Sequence, residues 1–295
     1  MGTQSPFRNI LFPTDFSKSC EAIADHVVGL AKASAVKVWL LSVVPRLEEW
    51  HGVSEMYFGP FSDSALASFE RDRKALEAER LKMLRSFQEK YVGSVESEIA
   101  VTSGGVADCI IEFAREKNVG LIMMPTRALG RRRQFLLGSI TAKILHDAPC
   151  PVWTSPHPRE LNPFRPYRRI VLALDYRSLS VPLLVQASEF AELFGAALTV
   201  FSAIPRAPET SHHFIRELKK DLTSTLEQHL GNSKVKASIR LLEGNPGELI
   251  GNVAEDIEKA DLIVTGRGRL DEAAAHVHSH NYEIIWNAPC PVITL

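Results

Sequence analysis

The chain of 295 residues is short of the features that would have classified it at once. It has four cysteines, Cys20, Cys109, Cys150 and Cys290, and no two make a C-x-x-C pair. Free thiols packed as small hydrophobes in a reducing compartment are therefore expected. It has no surplus of charge: the formal net charge is -1, so no global pull toward nucleic acid or an acidic membrane is expected. Basic runs such as Arg131–Arg133 are short and lack interleaved aromatics, which argues against nucleic-acid binding. No apolar run approaches the length of a membrane span, and the N-terminus has no apolar signal core, so a cytoplasmic location is expected. There is no Gly-x-Ser-x-Gly elbow and no Gly-x-x-x-x-Gly-Lys loop. Neither a serine hydrolase nor a motor- or GTPase-type nucleotide site is written here.

What is present is a repeat. Ala148-Pro149-Cys150-Pro151-Val152 recurs as Ala288-Pro289-Cys290-Pro291-Val292, and Ile10 to Phe16 resembles Ile170 to Tyr176. Such self-similarity decides the architecture before any single residue does. The offset is 160 residues from Asp15 to Asp175 and 140 from Ile110 to Ile250, so the first copy carries 20 extra residues between Arg46 and Ile110. The aromatic stretch Leu47–Phe61 is the candidate insertion, either a lid and partner surface or a cover for its own domain. The 45% hydrophobic content supplies each half with a core.

Within each copy short apolar runs alternate with helical patterns. Strands are expected at Ile10–Phe12, Val36–Val44, Ile99–Val101, Leu121–Met124 and Val152–Thr154. Their counterparts are Ile170–Leu174, Ala197–Ala203, Lys236–Leu241, Leu262–Val264 and Val292–Thr294. Helices are expected at about Cys20–Ser34, Leu66–Tyr91, Ala107–Lys117 and Ile140–Asp147, the second with Leu66, Phe69, Leu76, Met83, Leu84 and Phe87 on its apolar side. Strand–helix alternation with strands apolar on both faces implies α/β folds with parallel sheets covered on both sides. Residues 1–155 form the expected first domain, 156–166 a linker rich in proline, and 167–295 the second domain.

In such sheets ligands sit beyond the carboxyl ends of the strands where strand order reverses. The segment there, after Leu121–Met124, runs from Pro125 through Arg131-Arg132-Arg133 to Gly138-Ser139 and then into a helix. Gly138-Ser139 at a helix start suits an anion: backbone N–H groups are unpaired there, glycine allows close approach, and the serine hydroxyl can donate. The competing structural role is a helix cap at Ser139 and a solvated turn for the arginines. His276, His278 and His280, with His212 and His213 elsewhere, have no spacing that fixes a metal site, and none is assigned.

The order of these segments, the opening Ile-Leu-Phe-Pro-Thr-Asp-Phe-Ser and the closing Leu-Gly-Ser … Ala-Pro-Cys-Pro-Val resemble the universal stress protein family in tandem form. The resemblance implies two doubly wound parallel-sheet domains of the Rossmann-like, adenine nucleotide alpha hydrolase-like kind. They would pack as an intramolecular pseudo-dimer through the strands near Val152 and Val292. It also implies a stress-response role for which protein partners, or a homodimer, remain open. Members that bind ATP carry Gly-x-x-Gly, nine residues, then Gly-Ser or Gly-Thr. Here the early glycines are replaced by Pro125 and Ala128, while the spacing from Ala128 to Gly138 is kept. Proline has no N–H to offer, and alanine in a left-handed turn costs on the order of 1 kcal/mol. By resemblance Asp15 and Val43 would contact adenine, and Met124, Ala128, Gly138, Ser139 and Ile140 the ribose and phosphates. Arg127 or Arg131 would replace lost backbone donors with charge. Magnesium would enter only with ATP.

The second copy departs further, reading Gly266-Arg267-Gly268-Arg269 and then His278-Ser279 nine residues after Gly268, and is expected to be a structural copy that does not bind. Three functions are open: nucleotide binding in the first half, a nucleotide-independent interaction scaffold, and slow ATP hydrolysis or phosphotransfer. No catalytic residue is identifiable for the last.

Overall fold

Ile10 and Phe12 are buried on one side of a strand and Leu11 on the other, and that two-sided burial sets the plan of the molecule. The computed structural model describes residues 7–45, 63–126, 138–155, 161–177, 180–204, 212–231, 233–267 and 280–295 (the side chains of 63–70, 212, 256–257 and 280–281 apart). In the first half β1 (Asn9–Pro13), α1 (Lys18–Ser34), β2 (Lys37–Val44), α2 (Asp63–Phe87), β3 (Ser97–Ser103), α3 (Val106–Glu116), β4 (Leu121–Pro125), α4 (Ser139–Asp147) and β5 (Val152–Ser155) follow one another. The second half repeats the series with β6 (Arg169–Ala173), α5 (Val181–Phe194), β7 (Ala197–Ile204), α6 (His212–Leu230), β8 (Ala237–Glu243), α7 (Pro246–Asn252), β9 (Leu262–Thr265), α8 (His280–Asn287) and β10 (Val292–Thr294). Every expected strand is present to within two residues at each end. The candidate insertion Leu47–Phe61 lies outside the described residues.

The strand order is β3-β2-β1-β4-β5 in one half and the same order, mirrored, in the other. All neighbours are parallel except β5 and β10, which pair antiparallel and join the halves into one sheet of ten strands. In that seam Trp153 lies opposite Ile293, its own repeat equivalent, so the local two-fold passes through this pair. An isologous contact of the kind that builds two-fold dimers is thus made inside one chain. One core layer packs α1, α2, α5 and α6 on the sheet, and the other packs α3, α4, α7 and α8. Each layer runs through both halves. Among the described residues no helix is long and apolar enough to cross a membrane.

The ends of the elements repeat as well. Gly104 and Gly244 take φ of 156° and 145°, where a side chain is strained, while their N–H groups extend the ladder to the carbonyls of Val44 (3.0 Å) and Ile204 (2.9 Å). Asn245 caps α7 by accepting from the N–H groups of Gly247 and Glu248. The copies differ by one residue in a definite place. Ile110 corresponds to Ile250, but the ladders match Leu121 with Leu262, so an offset of 140 becomes 141. The π-helical turn Val253–Ile257 follows α7, whereas α3 is plain α-helix, and a π turn is how a helix absorbs one inserted residue.

One expectation needs correction. In α2, Leu84 and Phe87 are buried, but Leu76 and Met83 are 38% and 41% exposed. Met83 and Leu84 are neighbours about 100° apart around the helix, so only one can face the sheet. The linker segment 161–167 is docked on α1 as well as being rich in proline. Phe164 N–H donates to Asp25 Oδ2 at 2.6 Å, the Asn162 carbonyl meets His26 Nε2 at 2.8 Å, and the Phe164 ring covers Gly29 so closely that a Cβ there would lie 2.0 Å from it.

Candidate functional site

From β1 the chain first moves outward to β2 and β3, then crosses back to β4 on the other side of β1. The carboxyl ends of β1 and β4 therefore lie side by side where the strand order reverses, the place at which such sheets bind ligands. The loop after β1 is tightly built. Thr14 N–H bonds the Leu41 carbonyl at 2.8 Å, Phe16 N–H bonds Thr14 Oγ1 at 3.0 Å, and Ser17 N–H bonds Asp15 Oδ1 at 3.0 Å. Phe16 is held at a φ of 62°, with its ring against Phe87 and the Arg80 guanidinium 5.5 Å above it. Ser17 then caps α1 by accepting from Cys20 N–H. Burial pushes the Cys20 thiol up, so it stays protonated and donates to Asp15 Oδ1 at 3.3 Å.

Asp15 is exposed and ties the turn. Asp175 ties the corresponding turn, accepting from Arg177 N–H at 2.9 Å. Turn-making is thus common to both halves and does not by itself mark Asp15 as a ligand group. Val43 is half-buried near the end of β2, and Met124 is buried in the lower core layer with 7% exposure. Pro125 is the last residue of β4, paired with Ser155 in the ladder, so its missing N–H falls at a strand end.

Helix α4 follows β4 in the chain. Gly138 occupies the N-cap with φ -59° and ψ 140° and has no side chain to cap the helix. Ser139 is the first helical residue and exposed, so the cap role weighed for it as the alternative falls to Gly138. The first bond of the helix runs from Ala142 N–H to the Gly138 carbonyl at 2.9 Å, and the N–H groups of Ser139, Ile140 and Thr141 precede it. Ile140 is half-buried and packs on the lower layer. Two serines at the same edge of the sheet, Ser42 and Ser155, keep buried hydroxyls without a hydrogen-bond partner. Arg127, Ala128 and Arg131 lie outside the described residues, as do Gly268, His276, His278 and Ser279. Among the described residues no cluster of three metal-ligating side chains occurs.

Asp15 thus follows the carboxyl end of β1 and Gly138, Ser139 and Ile140 open α4, whereas Val43 lies near the end of β2 and Met124 in the core layer under α3 and α4. Reading of the sequence missed Arg80, which reaches the Phe16 ring from α2, and Thr126, whose hydroxyl donates to the Ser155 carbonyl at 2.7 Å. Arg80 had a signal in the helical spacing from Arg80 to the buried pair Leu84 and Phe87. Thr126 had none.

The doubly wound α/β unit defines the class: a Rossmann-like fold, present twice. The model of the universal stress protein family matches residues 6–156 and 166–295, and the chain belongs to that family. A universal stress protein of Synechocystis sp. is 32% identical over 150 residues, covering 51% of this chain and 86% of the relative. One from Methanocaldococcus jannaschii is 26% identical over 162 residues, covering 52% of this chain and 85% of its own length. Each of these relatives is therefore about the size of one half. The crystal structure of a universal stress protein from Archaeoglobus fulgidus matches the whole molecule, with a TM-score of 0.65 at 18% identity, covering 98% of this chain and 96% of the other. That likeness speaks for the fold alone.

Proposed function

We propose that the first half binds ATP or a closely related nucleotide in the β1–β4 crevice, and that the chain acts as a cytoplasmic stress-response protein whose conformation or partners answer to that ligand. The observation that carries this reading is the N-terminus of α4, where the cap is Gly138, a residue with no side chain to occupy the helix end. Phosphate would take the N–H groups of Ser139, Ile140 and Thr141 and the Ser139 hydroxyl, with the helix dipole favouring the negative charge. Adenine would lie near Asp15 and Val43. Met124 would contribute from below, and Ala128, Arg127 and Arg131 from the loop between β4 and α4. Magnesium would be carried by the phosphates of ATP.

The second half is proposed as a structural copy. Its Arg267 guanidinium is engaged by backbone carbonyls of the first half, and so is not offered to a phosphate. Domain limits of 1–155 and 167–295 around a 156–166 linker belong to the same proposal. A second reading, a scaffold independent of nucleotide, is favoured by Pro125, which gives the crevice no N–H at the end of β4. Mass spectrometry of small molecules released from the purified full-length protein separates the two, followed by calorimetric titration with ATP and magnesium. Co-purified adenylate, or saturable ATP uptake, supports the first; neither, with an intact fold, leaves the second.

A further inference from the structure

The ladders match Arg267 of the second half with Thr126 of the first. Each backbone N–H continues its sheet in the same way, Thr126 to the Ser155 carbonyl at 3.1 Å and Arg267 to the Leu295 carbonyl at 3.2 Å. The side chains then part. The Thr126 hydroxyl turns back to its own neighbour Ser155. The Arg267 side chain crosses the β5–β10 seam, where Nη1 donates to the Ala148 carbonyl and Nη2 to the Cys150 carbonyl. Ala148 is the C-cap of α4, and Cys150 lies on the short turn that carries the chain from α4 into β5.

This is a costly place for a cation. Arg267 is half-buried, and desolvation lowers its pKa from the usual arginine value. Such a group persists only where fixed dipoles replace lost water. The carbonyl end of a helix is such a place, since its partial negative charge and unpaired C=O groups favour a guanidinium. Arg115 of α3 adds one longer bond, 3.4 Å to the Asp147 carbonyl. Helix α4 is nine residues long, about 13 Å at 1.5 Å per residue. It is a short rod with one end at the crevice and the other under Arg267. A tilt at the clamped end moves the N–H groups at the open end. The cation also offsets the negative pole of the helix, which leaves the positive pole less opposed.

The return contact is not built symmetrically. Thr126 holds the position from which a long side chain would reach the Ala288 and Cys290 carbonyls at the end of α8, and it stops at Ser155. We infer that Arg267 is a positioning residue that acts across the seam on α4. The half that is not proposed to bind nucleotide thereby orients the helix end that is. The functional consequence rests on the reading given under Proposed function, whereas the clamp on α4 does not.

The test uses the full chain and two variants, Arg267→Lys and Arg267→Met. Amide hydrogen exchange is followed in peptides covering 139–148 and, as internal reference, 280–288, and the same samples are titrated with ATP and magnesium. Arg267→Met is expected to speed exchange in 139–148 by about tenfold with 280–288 unchanged, as loss of bonds to a charged donor allows, and Arg267→Lys to recover part of it. ATP affinity is expected to fall by about fivefold to tenfold in Arg267→Met and less in Arg267→Lys. Unchanged exchange in 139–148, or an equal rise in both peptides, overturns the inference. So does an unchanged ATP affinity in Arg267→Met when the parent protein binds. A parent that takes up no ATP, with exchange altered selectively in 139–148, leaves the clamp supported and removes the nucleotide reading instead.

Discussion

An aspartate at position 138 should set the stability of α4 against its proposed ligand. Gly138 sits at the N-cap with φ -59° and ψ 140°, angles that any residue adopts, so Gly138→Asp brings no backbone strain. The new carboxylate can accept from the N–H groups of Ile140 or Thr141, which glycine at the cap has no side chain to engage. Replacing glycine by a better cap is worth a few tenths of a kcal/mol, and a negative charge at a helix start about 0.3–1 kcal/mol more. The sum predicts a gain of about 0.5–1.5 kcal/mol in urea unfolding. Binding should move the other way. The carboxylate takes the donors intended for phosphate, and two like charges about 4 Å apart repel by about 4 kcal/mol at most at an effective dielectric near 20. Even a third of that repulsion costs about tenfold in affinity. Gly138→Ser supplies a cap without the charge, and its affinity should lie between those of the parent and the aspartate variant. Calorimetry with ATP and magnesium beside urea titration reads both effects on the same preparations. A more stable Gly138→Asp that binds ATP as the parent does would refute the assignment of phosphate to this helix end. An aspartate variant with no gain in stability would show the N–H groups already engaged.

Other expectations concern the seam and the caps. Trp153 Nε1 donates to the Tyr167 hydroxyl at 3.1 Å with both side chains buried, so Tyr167→Phe should strand the indole N–H and cost about 1–3 kcal/mol in chemical unfolding. With Trp153→Phe added, the two losses should sum to more than the double variant shows. Burial also pushes the Tyr167 hydroxyl well up, so the folded chain keeps a proton that the unfolded chain releases near pH 10. Stability present below that pH should therefore fall as pH rises above it, by up to about 1.4 kcal/mol per pH unit, with a shallower fall in Tyr167→Phe. His26 is shifted the opposite way, lowered from 6.5 chiefly by burial against Trp153 and Phe164. Its neutral form is the folded one, so its contribution is complete above pH 6.5 and is lost as pH falls below it; His26→Leu should flatten that acid limb of thermal stability. Ala35 ends α1 at a φ of 53° where its repeat equivalent, Gly195, ends α5 at 62°. Ala35→Gly should stabilise, and Gly195→Ala destabilise, each by up to about 1 kcal/mol in thermal melts, since no atom lies within 4 Å of a Cβ at 195.

Much of the fold was legible because the signals that make it are local. Apolar runs flanked by turns locate the strands, and the Ala-Pro-Cys-Pro-Val repeat locates the halves. Periodicity misled where it was read too widely: Leu76 and Met83 fit a stripe on α2 but are exposed, whereas among its described side chains Leu84 and Phe87 are buried. At the candidate site the order of residues marked Gly138-Ser139 as a helix start, where α4 begins, but not which of the two caps. Met124 could be assigned to the ligand only by resemblance; its side chain is committed to the core. Arg127, Ala128 and Arg131 lie outside the described residues and stand as part of the proposal.

The amino-acid order alone determined that two doubly wound units follow one another, because strand burial and helix pattern are written within a few residues of each position. The meeting of those units was decided in three dimensions. Trp153 lies on Ile293, and Arg267 reaches carbonyls 119 and 117 residues away. No spacing encodes such contacts. They arise because an edge strand must satisfy its N–H and C=O groups, and a helix end its carbonyls, with whatever the completed fold brings within reach.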